Sequence, residues 1–198
     1  AARRAPGALV TTAAVLAFAG AAVAVPGRGV ARPALRHVVA PPTARTGGFG
    51  EKTCLECHLE YAPDLPGGRL LLLGVPGAVT PGGTYTLTIR LESEEMRRAG
   101  FQVAARYASG KRAGAFRSLD GRTAVTADSV TAIPYAHHTR TGAEVADRAV
   151  ASWSMEWTAP AEPGDIVFHA AANSANGDDS PLGDVVYTAV LRTTAGGS

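Results

Sequence analysis

The stretch Thr84-Tyr85-Thr86-Leu87-Thr88-Ile89-Arg90-Leu91-Glu92 decides the fold class of this 198-residue chain. Apolar side chains occupy every second position, and Thr or Arg lies between them. Because successive side chains of a β-strand point to opposite faces, this period of two predicts a half-buried strand. The turn-forming sequence Thr80-Pro81-Gly82-Gly83 precedes the strand and sets its start.

Further short strands are expected along the chain. The clearest runs near 150–158, where Trp153, Met155 and Trp157 share a face that we expect to lie in the core. The other expected strands cover residues 69–73, 101–107, 115–119, 123–126, 129–133, 166–171 and 185–191. Gly, Pro and Asp turns separate them without a long helical period, so the sequence predicts an all-β protein. The predicted architecture is an antiparallel β-sandwich in which residues 84–92 and 150–158 are central.

Both cysteines of the chain lie in Thr53-Cys54-Leu55-Glu56-Cys57-His58. Two cysteines separated by two residues and followed by His form the attachment pattern of a c-type haem. Cys54 and Cys57 would bond to the two vinyl groups of the porphyrin, and His58 would bind the iron as the proximal ligand. A thioredoxin-like redox pair, a small disulfide loop and half of a zinc site are alternatives. Zinc would need further ligands, and there is no second cysteine pair.

Residues 1–24 have the form of a secretory signal, with Arg3 and Arg4, an apolar run and the small residues Ala22-Val23-Ala24. An uncleaved membrane anchor is the alternative, since a span needs roughly 20 apolar residues. The richness of the run in Ala and Thr favours cleavage. Export to the periplasm or the exterior agrees with a haem that is attached outside the cytoplasmic membrane. Membrane association is expected only through this N-terminal segment.

The rest of the chain is expected to form one domain. Residues 25–50 are rich in Pro, Gly and Arg and predict a linker, followed by a haem-binding sandwich at 51–193 and a tail at 194–198. His37 lies in the linker, which is a poor place to hold an iron ligand. Cleavage after Ala24 removes two of the 19 basic residues and leaves them equal to the 17 acidic ones. A net charge of zero argues against a nucleic-acid partner.

Seven motifs, in order, carry a resemblance to a known family. They are Thr53–His58, Pro66–Gly68, Thr80–Tyr85, Arg98–Gln102, Ala136–Thr139, Trp157–Pro160 and Asn176–Ser180. With these motifs the chain resembles bacterial proteins described as having a choice-of-anchor V domain, which are relatives of the Reeler domain named from reelin. The resemblance covers about Gly47 to Arg192 and implies an immunoglobulin-like β-sandwich.

The resemblance also bears on the sixth iron ligand. Members with the haem motif tend to carry a His-Thr pair before a Gly-containing turn, which matches His138, Thr139 and Gly142 and implies His138 as the distal ligand. The residues themselves place His138 in a loop after a strand. The second choices are His137 and Met96, the latter because a thioether in a polar loop has little packing reason to be there. His169 and an open position are the further alternatives.

The identity of that ligand decides the function. Two imidazoles suit electron transfer at low potential, a Met ligand raises the potential, and an open position permits binding or peroxidase-like chemistry. No Gly-x-Ser-x-Gly motif and no phosphate-binding glycine loop occur, and we expect no enzymatic activity.

The sequence therefore predicts an exported mono-haem c-type cytochrome that acts as an electron carrier or redox subunit with redox partner proteins. The alternative is a non-enzymatic secreted or surface-anchored Reeler-like adhesion or binding module, in which the haem is structural or absent. Calcium at Asp178 and Asp179 is a second candidate cofactor, because carboxylates and carbonyls in a loop suit that ion. The same residues are also strong turn formers.

Overall fold

The structure is a computed structural model that describes residues 1–2 and 40–196. The predicted signal or anchor and His37 therefore lie outside the described residues, as does most of the predicted linker. Apart from Ala1 and Ala2, the described residues belong to a unit that runs from Ala34 to Ser198. Within the described ranges, no helix has the length and apolar character to span a membrane.

The described residues form ten strands in two sheets. The strands are β1 (Gly68–Leu73), β2 (Ala78–Val79), β3 (Thr84–Ser93), β4 (Arg98–Tyr107), β5 (Ala115–Ser118), β6 (Thr123–Ala127), β7 (Pro134–His138), β8 (Val150–Thr158), β9 (Gly164–Ala175) and β10 (Val185–Ala195). One sheet has the order β1-β3-β8-β5 and the other the order β2-β10-β9-β4-β7-β6. The all-β prediction is confirmed, and β3 and β8 are the central pair of the four-stranded sheet. Strands β2 and β10 are parallel, which the prediction did not include.

The core lies between the two sheets and is built around aromatic side chains. Trp153, Met155 and Trp157 of β8 are buried, as expected from their shared face. The ring centroids of Phe101 and Trp153 are 4.7 Å apart, and those of Trp157 and Phe168 are also 4.7 Å apart. Because these pairs join β8 of one sheet to β4 and β9 of the other, they hold the two sheets face to face.

Two local predictions were wrong. Residues 129–133 form a turn and not a strand, because Asp128 Oδ1 accepts hydrogen bonds from the backbone N–H groups of Val130 and Thr131. The true strand follows as β7, so the loop expected around His138 is the end of a strand that pairs with β4 and β6.

Strands β4, β9 and β10 are longer than predicted. Strand β9 runs from Gly164 to Ala175 and is buried along most of its length, on both faces. A strand that is covered on both faces lacks the alternation that marks a half-buried one, so its ends could not be read from the sequence. Strand β10 continues to Ala195, which is beyond the predicted end of the domain at residue 193.

The N-terminal strap, defined here as residues 41–58, covers the outer face of the six-stranded sheet. Arg45 N donates to Gln102 Oε1 at 2.7 Å, and Gln102 Nε2 donates to Pro42 O at 2.9 Å. Thr43 Oγ1 donates to Asp128 Oδ2 at 2.7 Å. Residues 41–50, which were predicted as the end of a linker, form the first part of this strap.

Candidate functional site

The Cys-x-x-Cys-His sequence forms a tight turn at the end of the strap. Residues Cys54–Glu56 are a 3-10 turn, and the backbone N–H groups of Cys57 and His58 both donate to Cys54 O at 3.1 Å. Thr53 caps the turn, since its Oγ1 accepts from Leu55 N at 3.2 Å. The turn brings both cysteines and His58 to the lining of one pocket.

Both cysteines are free thiols. Burial raises the pKa of the Cys54 thiol to about 12, so this group is protonated at neutral pH. Cys57 is exposed. The two cysteines do not form a disulfide with each other.

His58 is oriented by a buried carboxylate. Its Nδ1 lies 2.7 Å from Asp184 Oδ2, and Asp184 is 2% exposed. Asp184 also accepts from Asn173 Nδ2 at 3.0 Å and from Asn176 N at 3.1 Å, so the carboxylate is fixed from three sides. When Nδ1 donates its proton to Asp184, Nε2 has a free lone pair that can bind a metal.

The pocket is a cleft beside the first half of β4. Its cavity volume is about 180 Å³, and its free space is about 1040 Å³ when the part open to solvent is included. The walls come from the strap, residues Arg98–Gln102, Ala143, the end of β9 at Asn173 and Ala175, and the segment between β9 and β10. His138 also lines this pocket, so the predicted distal ligand lies in the same cleft as His58.

His138 is held by backbone atoms of Phe101. Phe101 N donates to Nδ1 at 3.0 Å, and Nδ1 also lies 3.2 Å from Phe101 O. While Nδ1 accepts from Phe101 N, the ring proton of the neutral imidazole is on Nε2. Binding of a metal at Nε2 requires that proton to move to Nδ1, where Phe101 O can accept it. The absence of a side chain at Gly100 makes room for the ring, because a Cβ there would lie 2.6 Å from His138 Cε1.

The protonation state of His138 also suits a ligand. Burial is the main cause that lowers its pKa to about 4, and the charges of His137, Arg98 and His58 contribute. The imidazole is therefore neutral at neutral pH, which is the form that binds metal ions.

The other candidate ligands lie elsewhere. His137 is buried, with Nε2 bonded to Thr126 Oγ1 at 2.9 Å and Nδ1 to His138 O at 2.8 Å. Met96 is 1% exposed and packs in the core, so the expectation that its thioether lacks a packing role was wrong. The His169 ring packs edge-on against Phe49, with centroids 5.3 Å apart. None of these three residues lines the pocket.

The residues present fit a c-type haem. Two free thiols and two imidazoles line one cleft, and each imidazole has its Nδ1 engaged and its Nε2 free of hydrogen bonds within the described part of the chain. The sequence predicted the four residues but not Asp184, which is distant from them in the chain. The signal for Asp184 was weak, since one acidic residue near a strand end has many ordinary roles.

The loop predicted for calcium is a hydrogen-bonded turn. Asp178 Oδ1 accepts from Ser180 N at 2.8 Å, and Asp178 N donates to Asn176 Oδ1 at 3.0 Å. Asp179 lines the pocket. Across residues 40–196, no group of three or more His, Cys, Asp or Glu side chains is arranged to hold a metal ion.

The fold and the pocket define a β-sandwich that carries a Cys-x-x-Cys-His turn against one sheet. No protein-family model matches the chain, and no curated protein sequence matches it. The human F-spondin Reeler domain is similar in structure, with a TM-score of 0.48 and 14% identity over 72% of this chain and 98% of that one. A cohesin module of a family 33 glycoside hydrolase from Clostridium perfringens has a TM-score of 0.47 and 11% identity, over 65% and 96% of the two chains. At these values, nothing that those proteins bind transfers to this chain.

Proposed function

We propose that this chain is an exported mono-haem c-type cytochrome that transfers electrons, either as a free carrier or as a redox subunit. The observation that carries the proposal is the convergence of Cys54, Cys57, His58 and His138 on one pocket. These residues come from the strap and from β7, which are distant in the sequence. A purely structural role for the cysteines gives no reason for two imidazoles to face the same cleft.

The cysteines would attach the haem. Each thiol adds across one vinyl group, so that a C–S bond forms at one vinyl carbon and the thiol proton passes to the other. No electron is gained or lost by the protein in this addition. The pocket is open on one side, and two covalent bonds would retain a cofactor there that shape alone would hold weakly.

The two histidines would bind the iron through their free Nε2 atoms. When bound, the haem supplies a one-electron couple between ferrous and ferric iron. Two imidazole ligands would leave the iron no free position for a substrate, and this would favour electron transfer over catalysis. Asp184 fixes the ring of His58 and strengthens it as a donor, and Phe101 fixes the ring of His138.

The proposal also includes export of the chain from the cytoplasm. The signal-like residues 1–24 would deliver the chain to the compartment in which c-type haem is attached. The redox partners would then be proteins of the periplasm or the outer surface. A retained N-terminal segment would keep the cytochrome at the membrane.

The test is to produce the full chain together with a cytochrome c maturation system. The control variant carries Cys54→Ser and Cys57→Ser. We expect haem that survives a denaturing gel in the wild type and not in the control, and sharp low-spin bands after reduction with dithionite. A normal yield of soluble, colourless wild-type protein would refute the proposal.

A further inference from the structure

Arg98 is a half-buried arginine that forms no ion pair in the described part of the chain. It is the first residue of β4 and lines the pocket. Its Nη2 atom is buried and makes no hydrogen bond, and none of the ion pairs formed among residues 40–196 includes Arg98. Since the Nη2 atom is shielded from water and has no hydrogen-bond acceptor, this position favours an anion that enters the pocket.

The other charged groups around the pocket are already engaged or face solvent. Arg45 donates through Nη1 to Thr43 O and Ala44 O, and its Nη2 pairs with Glu56. Asp184 is bonded to His58. Asp179 is exposed. The Nε atom of Arg45 is buried without a hydrogen bond, but both of its terminal nitrogens are engaged, whereas Arg98 forms no ion pair among the described residues and its Nη2 is unbonded.

Arg98 lies on the same face of β4 as the His138 ring. Side chains alternate along β4, so Arg98 shares its face with Gly100, over which the His138 ring lies. A planar group bound by His138 would therefore have its edge within the reach of an arginine two residues away on the same strand. Arginine binds carboxylates through two parallel N–H···O bonds, which also fixes their orientation.

We propose that Arg98 binds a carboxylate of the group that fills the pocket. On the function proposed above, on which this inference rests, that carboxylate is one of the two haem propionates. Arg98 is then a positioning residue that sets the rotation of the porphyrin about the axis between His58 and His138. Its fixed charge would also keep the propionate ionised at lower pH.

The experiment measures the midpoint potential of the haem-loaded full chain as a function of pH. A neighbouring cation lowers the pKa of a carboxyl group by about one to three units. In Arg98→Met, the inflection caused by propionate ionisation is therefore expected to move up by about one to three pH units. Arg97→Met is the matched control, because it removes the same charge from the adjacent, exposed residue, and it should leave the inflection in place.

Arg98→Lys keeps the charge but not the planar fork and serves if the Met variant does not fold. Its inflection should lie above that of the wild type. The inference is overturned if covalent haem is retained and the Arg98 variants keep the wild-type inflection. It is equally overturned if Arg97→Met shifts the inflection as far as Arg98→Met does. Absence of covalent haem from the wild type is a different result, since it overturns the proposed function and this inference with it.

Discussion

The Nδ1 atom of His58 lies 2.7 Å from Oδ2 of Asp184, although 126 positions separate the two residues in the chain. Asp184 is almost fully buried and is held by Asn173 and by the backbone of Asn176. The strap and the start of β10 are therefore joined at the proposed proximal ligand. A carboxylate in this position orients an imidazole and raises its basicity.

We expect Asp184→Asn to raise the midpoint potential of the haem while leaving the haem covalently attached. A neutral amide makes His58 a weaker donor, and a weaker donor stabilises the ferric state less. Potentiometric titration measures the change. Asp178→Asn is the control, since the Asp178 carboxylate bonds only within its own turn. Equal potentials for Asp184→Asn and the wild type would contradict this role of Asp184.

Loss of the distal imidazole should change the spin state. We expect His138→Ala to retain the haem but to replace the low-spin spectrum with a high-spin one, because one axial position becomes free. His137→Ala is the matched control, since His137 is adjacent but does not line the pocket. Visible spectra of the oxidised and reduced proteins distinguish the low-spin from the high-spin state. A high-spin spectrum in His137→Ala but not in His138→Ala would contradict this prediction, because it would identify His137 as the distal ligand.

Gly100→Ala tests the position of His138 without changing any polar group. The added Cβ would lie 2.6 Å from Cε1 of the imidazole, so the ring must move. The backbone of Gly100 lies outside the left-handed region, and alanine therefore adds no backbone strain. We expect a partial conversion to the high-spin spectrum. Gly77→Ala, where nothing lies within 4 Å of the new Cβ, should leave the spectrum unchanged.

The sequence predicted those parts of the fold in which one face of a strand meets solvent. Strand β3 alternates between apolar and polar residues, and its limits were predicted to within one residue. Strand β9 is buried on both faces because the strap covers its outer side, so the pattern that would reveal its length is absent. Residues 129–133 were predicted as a strand, but the Asp128 carboxylate accepts hydrogen bonds from Val130 N and Thr131 N and so forms a turn.

The sequence likewise predicted only part of the candidate site. Cys54, Cys57 and His58 are adjacent in the chain, and their spacing alone predicts their chemistry. The positions of Asp184 and Arg98 in the site depend on how β10 and β4 pack beside the strap. No local pattern identifies contacts that form only after the sheet has assembled, so these residues appear only in the structure.

Removing a core side chain from β3 should strongly destabilise the sandwich. Ile89 is fully buried between the sheets, and we expect Ile89→Ala to lower the free energy of unfolding by about 2–5 kcal/mol. Thr86→Ala, on the exposed side of the same strand, should cost less than about 1 kcal/mol. Denaturant unfolding followed by tryptophan fluorescence measures both. Similar losses for the two variants would contradict the assignment of the faces of β3.

The attachment of the strap should depend on pH through Asp128. Backbone donation from Thr131 is the main cause that holds the pKa of this carboxyl well below its usual range, and the hydroxyl of Thr43 in the strap contributes next. Because the pKa is lower in the folded state, the carboxylate stabilises the fold above the unfolded pKa of about 4. That stabilisation is lost as the pH falls towards the folded value. Asp128→Asn should therefore be less stable than the wild type at pH 7, and the difference should narrow below about pH 4.

Urea unfolding at several pH values between 7 and 3 measures this difference. Thr43→Val removes one hydrogen bond from the same carboxylate and should show a smaller loss at pH 7 with the same narrowing at low pH. Asp128→Asn keeps an oxygen that can accept from the turn, so the turn itself should survive and the change should report the charge. A difference between Asp128→Asn and the wild type that is constant from pH 7 to pH 3 would show that the carboxylate charge does not stabilise the strap. The Asp128 turn would then act through its shape alone.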